Sequence, residues 1–157
     1  MDDKGILLSD SWLNDRHIDA INTSVAKQIG SNAVLMTVME QAPTGFDSVT
    51  EESFQVVYAA SHWVAAACVD GQVMIANSLG DTLSPTLCKQ LKQLYGTLLS
   101  PTGHLTVNLV DCAQQANLQD CGLFAAAFLF EWVTESVNTR CASTLHCRKC
   151  VRTLPCA

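Results

Sequence analysis

A chain of 157 residues with 48% hydrophobic and 15% charged side chains is sized for one globular domain and is too apolar to be disordered. A formal net charge of −6, with basic residues scattered apart from Arg148, Lys149 and Arg152, argues against a nucleic-acid binder. No apolar run reaches the roughly eighteen residues of a membrane span, and "MDDKGILLSDSW" has no signal-peptide layout, so an intracellular monomer, cytoplasmic or nuclear, is expected. Eight cysteines are present; without an export signal they are expected to be reduced thiols rather than a disulfide framework.

The first element is a helix. Asn14 or Asp15 is its N-cap, Ile18, Ile21, Val25 and Ile29 follow at helical spacing, and Gly30 closes it. The stretch "SNAVLMTVM" fits a short helix or a strand, and "APTGFDS" is a loop. "SFQVVYAA" and "HWVAAACV" predict two strands, and Asp70-Gly71 predicts a tight hairpin into a third, "QVMIANS". "SPTLCKQLKQLYGTLL" predicts an amphipathic helix capped by Ser84, with Pro85 at its first position and Leu87, Leu91, Leu94 and Leu98 as its stripe. "HLTVNLVDC" is a strand, and "CGLFAAAFLFEWVTESV" a largely buried helix. Helix, hairpin, helix, strand and central helix make an α+β domain spanning 1–157, with a core of about 12–138 and a cysteine-rich tail at 139–157.

The tail, "RCASTLHCRKCVRTLPCA", carries one Cys-x2-Cys pair, Cys147 and Cys150, with Cys141, His146 and Cys156 nearby. No matching second pair follows, so no metal ligand is assigned and the tail is expected to be exposed and prone to oxidation. Cys112 sits nine residues before Cys121, and reads as a packed thiol rather than a reversible disulfide partner.

Cys121 stands at the mouth of the central helix, where N–H groups and the helix dipole favour a thiolate. A nucleophilic cysteine also needs a base and a group that sets the base's tautomer. Among four histidines, His17 lies in the first helix, His104 starts a strand, and His146 is in the tail. His62 lies between two strands. Counting back from Asp70-Gly71 places Ser61 and His62 roughly opposite Ser78 and Leu79. Asn77 is then close enough for its amide oxygen to accept from Nδ1–H of His62. Gln115, six residues before Cys121, and the Cys121 amide are candidate oxyanion donors.

Together, "WLNDRHI", "HWV", "NSLG" and "QQANLQDCGLF" resemble the Ulp/SENP-type ubiquitin-like-protein proteases, a cysteine peptidase family related to adenovirus protease. The resemblance runs from Trp12 to about Trp132. It implies a papain-like fold of the Ulp/adenain type, with the nucleophile on a central helix packed against a small mixed sheet. It implies Cys121 as nucleophile, His62 as general base and Gln115 as oxyanion residue. It implies Trp12 and Trp63 as the roof of a channel for the substrate's Gly-Gly tail. Asp120 and Gly122 match the family's Asp-Cys-Gly, with the glycine expected to admit substrate backbone. No cofactor is implied, and the partners are ubiquitin or a ubiquitin-like modifier and its conjugates.

Three features depart from the family. Asn77 stands where the family usually has aspartate, so it orients a neutral imidazole without a charge for the imidazolium. Asp81 is an acid four residues on that lies beyond the Gly80 turn, so Asn77 is favoured over it as the orienter. The domain is short, and the tail is rich in cysteine. The expected activity is cleavage after the C-terminal Gly-Gly of a modifier. The acidic residues Asp2, Asp3, Asp10, Asp15 and Asp19 around Trp12 lean towards ubiquitin, whose tail is basic, over SUMO. The rivals are an effector-type acetyltransferase, which would need a basic inositol-phosphate site, and a modifier-binding module without activity.

Overall fold

The computed structural model describes residues 12–30, 33–34, 37–39, 52–80, 82–139 and 150–156. Helix α1, Asp15–Ile29, begins at Asn14. The Asn14 side chain accepts from the His17 backbone N–H at 3.1 Å, and His17 Nδ1 accepts from the Asn14 backbone N–H at 3.2 Å. His17 therefore completes a capping box in the position usually held by a glutamate or glutamine. Gly30 ends the helix in the left-handed conformation that glycine adopts without steric penalty. The ambiguous stretch that follows contributes a two-residue strand, β1, Val38–Met39; its "APTGFDS" loop lies outside the described residues.

Strands β2, Ser53–Ala59, β3, His62–Val69, and β4, Gln72–Ala76, form two consecutive hairpins. The second turns at Asp70-Gly71, both at positive φ, as the sequence signal predicts. The first turns at Ala60-Ser61, also both at positive φ, where neither side chain is one that favours this conformation. Helix α2, Pro85–Leu94, is capped by Ser84, and a short 3₁₀ turn, Gly96–Leu98, replaces its expected last turn. Strand β5, Leu105–Val110, precedes α3, Cys121–Thr139.

The tail departs from the expectation of an exposed segment. Cys150–Cys156 forms β6, which pairs antiparallel with β5 from Leu105–Cys156 to Val110–Cys150. The core thus extends past residue 138, for Cys156 has no exposed surface. Pro155 fits because β6 closes the sheet edge, where a strand can do without one N–H. Burial and the neighbouring Cys88 thiol push the Cys156 thiol up to about 12. Cys141, His146 and Cys147 lie outside the described residues.

The sheet is six-stranded and mixed, in the order β1-β2-β3-β4-β5-β6, with β1–β2 and β4–β5 parallel and the other pairs antiparallel. Both faces are covered. Odd-numbered residues of β2 and even-numbered residues of β3, such as Val57, Ala59, Val64 and Ala66, pack with Leu87, Leu91, Leu94 and Tyr95 of the α2 region. The alternate set, such as Phe54, Val56, Trp63 and Ala65, packs with Ile18 and Val25 of α1 and with Ala125, Leu129 and Val133 of α3. This is the α+β, papain-like arrangement expected, with the central helix on a small mixed sheet. No helix among the described residues is long and apolar enough to cross a membrane.

Candidate active site

The register of the second hairpin builds the first contact. Val69 pairs with Gln72 and Ala65 with Ala76, so three further steps along the same register bring His62 opposite Leu79 and set Asn77 beside the ring. His62 Nε2 lies 2.8 Å from Asn77 Oδ1. The orientation of Asn77 is fixed from both ends. Its Nδ2 donates to the Thr82 carbonyl at 3.0 Å, and its Oδ1 accepts from the Leu79 N–H at 3.0 Å. An oxygen therefore faces the imidazole, so Nε2 must carry the proton of a neutral ring. The expectation named the other nitrogen, Nδ1. The correction follows from the ring's placement: it turns its Nε2 edge to Asn77 and leaves Nδ1 buried, with no hydrogen-bond partner among the described residues.

Cys121 is the first residue of α3 and has no exposed surface. The backbone N–H of Trp63, next in sequence to His62, donates to its sulfur, as do the N–H groups of Gly122 and Cys121 itself. Burial nevertheless outweighs these donors and raises the thiol above its ordinary value of 9.0. Burial also lowers the His62 imidazole, against the opposing effect of its bond to Asn77. Burial thus opposes the helix-favoured thiolate expected from the sequence, because desolvation penalises the charged form of both Cys121 and His62. His62 retains what a base requires, a lone pair on Nδ1.

Gln115 is pinned to the hairpin. Its N–H donates to the Ser78 carbonyl at 2.9 Å, its Oε1 accepts from the Ser78 hydroxyl, and its Nε2 donates to the Asn117 carbonyl. The amide nitrogen has a second hydrogen available for an oxyanion. Asn117 organises the turn into α3: its Oδ1 accepts from the N–H groups of Gln119 and Asp120, and its Nδ2 donates to the Asp120 carboxylate at 2.7 Å. Sequence reasoning missed Ser78 and Asn117. A polar residue beside "NSLG" or within a Gln-x5-Cys loop has no signal of its own until the loop is folded onto the hairpin.

The two tryptophans differ. Trp12 is 44% exposed, whereas Trp63 is 2% exposed. The Trp63 indole donates to the Leu13 carbonyl at 3.1 Å, and its ring lies 4.6 Å from that of Tyr58. Trp63 therefore ties the segment after Trp12 to the sheet and presents no open wall. Gly122 serves the same junction. A β-carbon there would stand 3.1 Å from Leu13 Cβ and 3.3 Å from Ile18 Cδ1. The space expected for substrate backbone is filled by Leu13 and Ile18 of the chain itself. Asp81, and Asp2, Asp3 and Asp10 of the electrostatic argument, lie outside the described residues. Cys112 donates to the Asn77 carbonyl at 3.4 Å, as does Gln114 Nε2 at 3.1 Å.

The sequence matches no protein-family model and no curated protein. Its fold is that of Ulp1. The structure of the SUMO protease Ulp1 with its catalytic cysteine oxidised to a sulfenic acid aligns with a TM-score of 0.59 and 16% identity, over 85% of this chain and 72% of that one. A de-sumoylating protease aligns with a TM-score of 0.56 and 16% identity, over 88% and 68%. The Ulp1 protease domain in complex with Smt3, the yeast orthologue of SUMO, aligns with a TM-score of 0.54 and 16% identity, over 83% and 69%.

Proposed function

We propose that this chain is a cysteine peptidase that cleaves after the C-terminal Gly-Gly of a ubiquitin-like modifier. The observation that carries the reading is the half-buried His62 ring, whose Nε2–H is committed to Asn77 and whose enclosed Nδ1 is left as an acceptor one residue from the N–H that reaches the Cys121 sulfur. A neutral base fixed in one tautomer beside a thiol is the arrangement general-base activation of a thiol requires. Residues 62, 77, 115 and 121 lie in the order His, Asn, Gln, Cys.

In this reading Nδ1 of His62 takes the thiol proton as Cys121 sulfur attacks the carbonyl carbon of the terminal glycine. The oxyanion is held by Gln115 Nε2 and the Cys121 N–H. The tetrahedral intermediate collapses, the C–N bond breaks, and the amine leaves with the proton from His62. His62 then deprotonates a water that attacks the thioester, which returns the carboxylate and the thiol. Asn77 holds the ring but supplies no charge for the imidazolium. Trp12, exposed just before α1, offers an aromatic surface to the tail, and Asp120 and Gly122 keep the loop and helix start in place.

SUMO is the modifier bound by the Ulp1 neighbour, and ubiquitin is the modifier the acidic sequence favours, so both are tested together. Matched ubiquitin and SUMO probes carrying a C-terminal electrophile are incubated with the protein and the adduct is mapped by mass. The expected result is one covalent adduct at Cys121, lost in His62→Ala. Tight modifier binding with Cys121 unmodified would replace this reading with that of a binding module. Acetylation of Cys121 by acetyl-CoA without any modifier adduct would replace it with an acetyltransferase.

A further inference from the structure

The residues that leave β4 and the loop that precedes α3 are joined across Asn77 and Ser78. The Asn77 carbonyl accepts from Gln114 Nε2 at 3.1 Å and from the Cys112 thiol at 3.4 Å. The Ser78 carbonyl accepts from the Gln115 N–H at 2.9 Å. A further bond runs between side chains, from the Ser78 hydroxyl to Gln115 Oε1. Ser78 is buried, and a buried hydroxyl costs free energy unless it is bonded. Its one proton goes to the amide assigned to the oxyanion.

The Gln115 amide has two unlike ends. Oε1 can only accept a hydrogen bond and Nε2 can only donate. The Asn117 carbonyl, also only an acceptor, takes the Nε2 end, and the Ser78 hydroxyl takes the Oε1 end. A half-turn of the amide would set oxygen against the Asn117 carbonyl, so this pair of partners selects one orientation. One Nε2 hydrogen is then bound to Asn117 and the other is directed away from it. A hydrogen bond accepted at Oε1 also polarises the amide and makes Nε2–H a stronger donor. Neighbouring residues thus serve different groups: Asn77 holds the His62 ring, and Ser78 holds the Gln115 amide.

We propose that Ser78 is a positioning residue for the oxyanion group: its hydroxyl holds and polarises the Gln115 amide so that Nε2 meets the charge developing on the substrate carbonyl oxygen. Ser78 touches no reacting atom and acts through Gln115. The proposal rests on the peptidase reading for the reaction served, whereas the orientation of the amide is a property of the chain alone. A serine that only tied the hairpin to the loop would have a different signature. Its loss would add to the loss of Gln115, because the two would then contribute independently.

The test is a double-variant cycle on the full chain, with ubiquitin and SUMO carrying a C-terminal fluorogenic amide as substrates. The melting temperature of each variant is checked first. Ser78→Ala is expected to lower kcat by about tenfold to a hundredfold, the scale of a misplaced catalytic group. KM is expected to hold, since the lost interaction belongs to the transition state. Gln115→Ala is expected to lower kcat by about 10² to 10³. The double variant should match Gln115→Ala within about twofold, because Ser78 has nothing left to act through. Ser78→Thr keeps the hydroxyl and should recover most of the turnover. The pH profile of Cys121 alkylation should be the same in Ser78→Ala as in the wild type, which separates this role from that of Asn77. A second arm needs no substrate: the side-chain amide pair of Gln115 in a nitrogen-15 spectrum, assigned as the pair missing from Gln115→Ala. In Ser78→Ala that pair should move towards the position of a free glutamine side chain. A wild type that cleaves neither modifier fails the peptidase reading, and Ser78 is then judged by the amide pair. The proposal is overturned by full turnover in Ser78→Ala, by losses that multiply in the double variant, by an alkylation profile that shifts in Ser78→Ala, or by an amide pair that does not move.

Discussion

The two faces of the sheet share the same strands and do different work. On the α2 face, Leu91 and Leu94 pack on alternate residues of β2 to β5; some polar groups there are matched, while the Gln90 amide, buried on α2, has no hydrogen-bond partner among the described residues. Gln55, 1% exposed, donates to the Tyr95 hydroxyl at 2.9 Å, and both are enclosed. On the α1–α3 face the packing is interrupted. That face holds the raised Cys121 thiol, a tryptophan bonded to the Leu13 carbonyl and a cavity lined by carboxylates, while His62 and Asn77 sit at the ends of β3 and β4. Alternation along a strand lets neighbouring residues serve opposite ends: Trp63 faces the chemistry, and Val64 the closed core. The closed face supplies the rigidity on which the face bearing Cys121 depends.

If that division holds, a change on one face should leave the other's property intact. The largest effect is expected from His62→Ala, which should lower kcat/KM on a Gly-Gly-tailed substrate by about 10² to 10⁴ with an unchanged melt. A parallel loss of cooperative unfolding would make His62 a structural residue. Next is Leu91→Ala on the closed face, expected to destabilise by about 2–5 kcal/mol through lost burial and a cavity. Denaturant unfolding measures it, and the fraction still folded should retain its specific activity.

A smaller and sharper effect concerns pH. Burial raises the Cys121 thiol and lowers the His62 imidazole, so the pair is neutral near pH 7 and the thiolate fraction grows only as pH climbs past the ordinary thiol value. Alkylation of Cys121 by iodoacetamide should therefore still be rising at pH 9. Asn77→Asp places a carboxylate against Nε2–H, raises the imidazole and stabilises an ion pair, so the rise should move to lower pH by about one unit or more. An unmoved profile would show that residue 77 does not govern the charge of the pair. The smallest effect is expected from Tyr95→Phe, which strands the Gln55 amide and should cost about 1–3 kcal/mol, read by thermal unfolding, with no change in the Cys121 profile.

Much of this was legible before folding. Asn14 and Gly30 bound α1, Ser84 and Pro85 open α2, and Asp70-Gly71 fixes a register from which the nearness of His62 and Asn77 can be counted. Each is a local signal with a local cause. Other features were not legible. Ala60-Ser61 forms a turn that neither residue favours, because the pairing of β2 with β3 imposes it. "CVRTLPC" was overshadowed by its cysteines, and became a strand because β5 offered an edge and the α2 face a place for Cys156.

The amino-acid order alone carries the element boundaries, the apolar alternation and the spacing of the reactive residues, since these depend on neighbours within a turn or a hairpin. The charge state of Cys121, the nitrogen by which His62 meets Asn77, the burial of Trp63 and the filling of the space over Gly122 by Leu13 are of another kind. They depend on desolvation and on contacts between segments distant in the chain. A dielectric environment and a steric neighbour exist only once the layers have closed on one another.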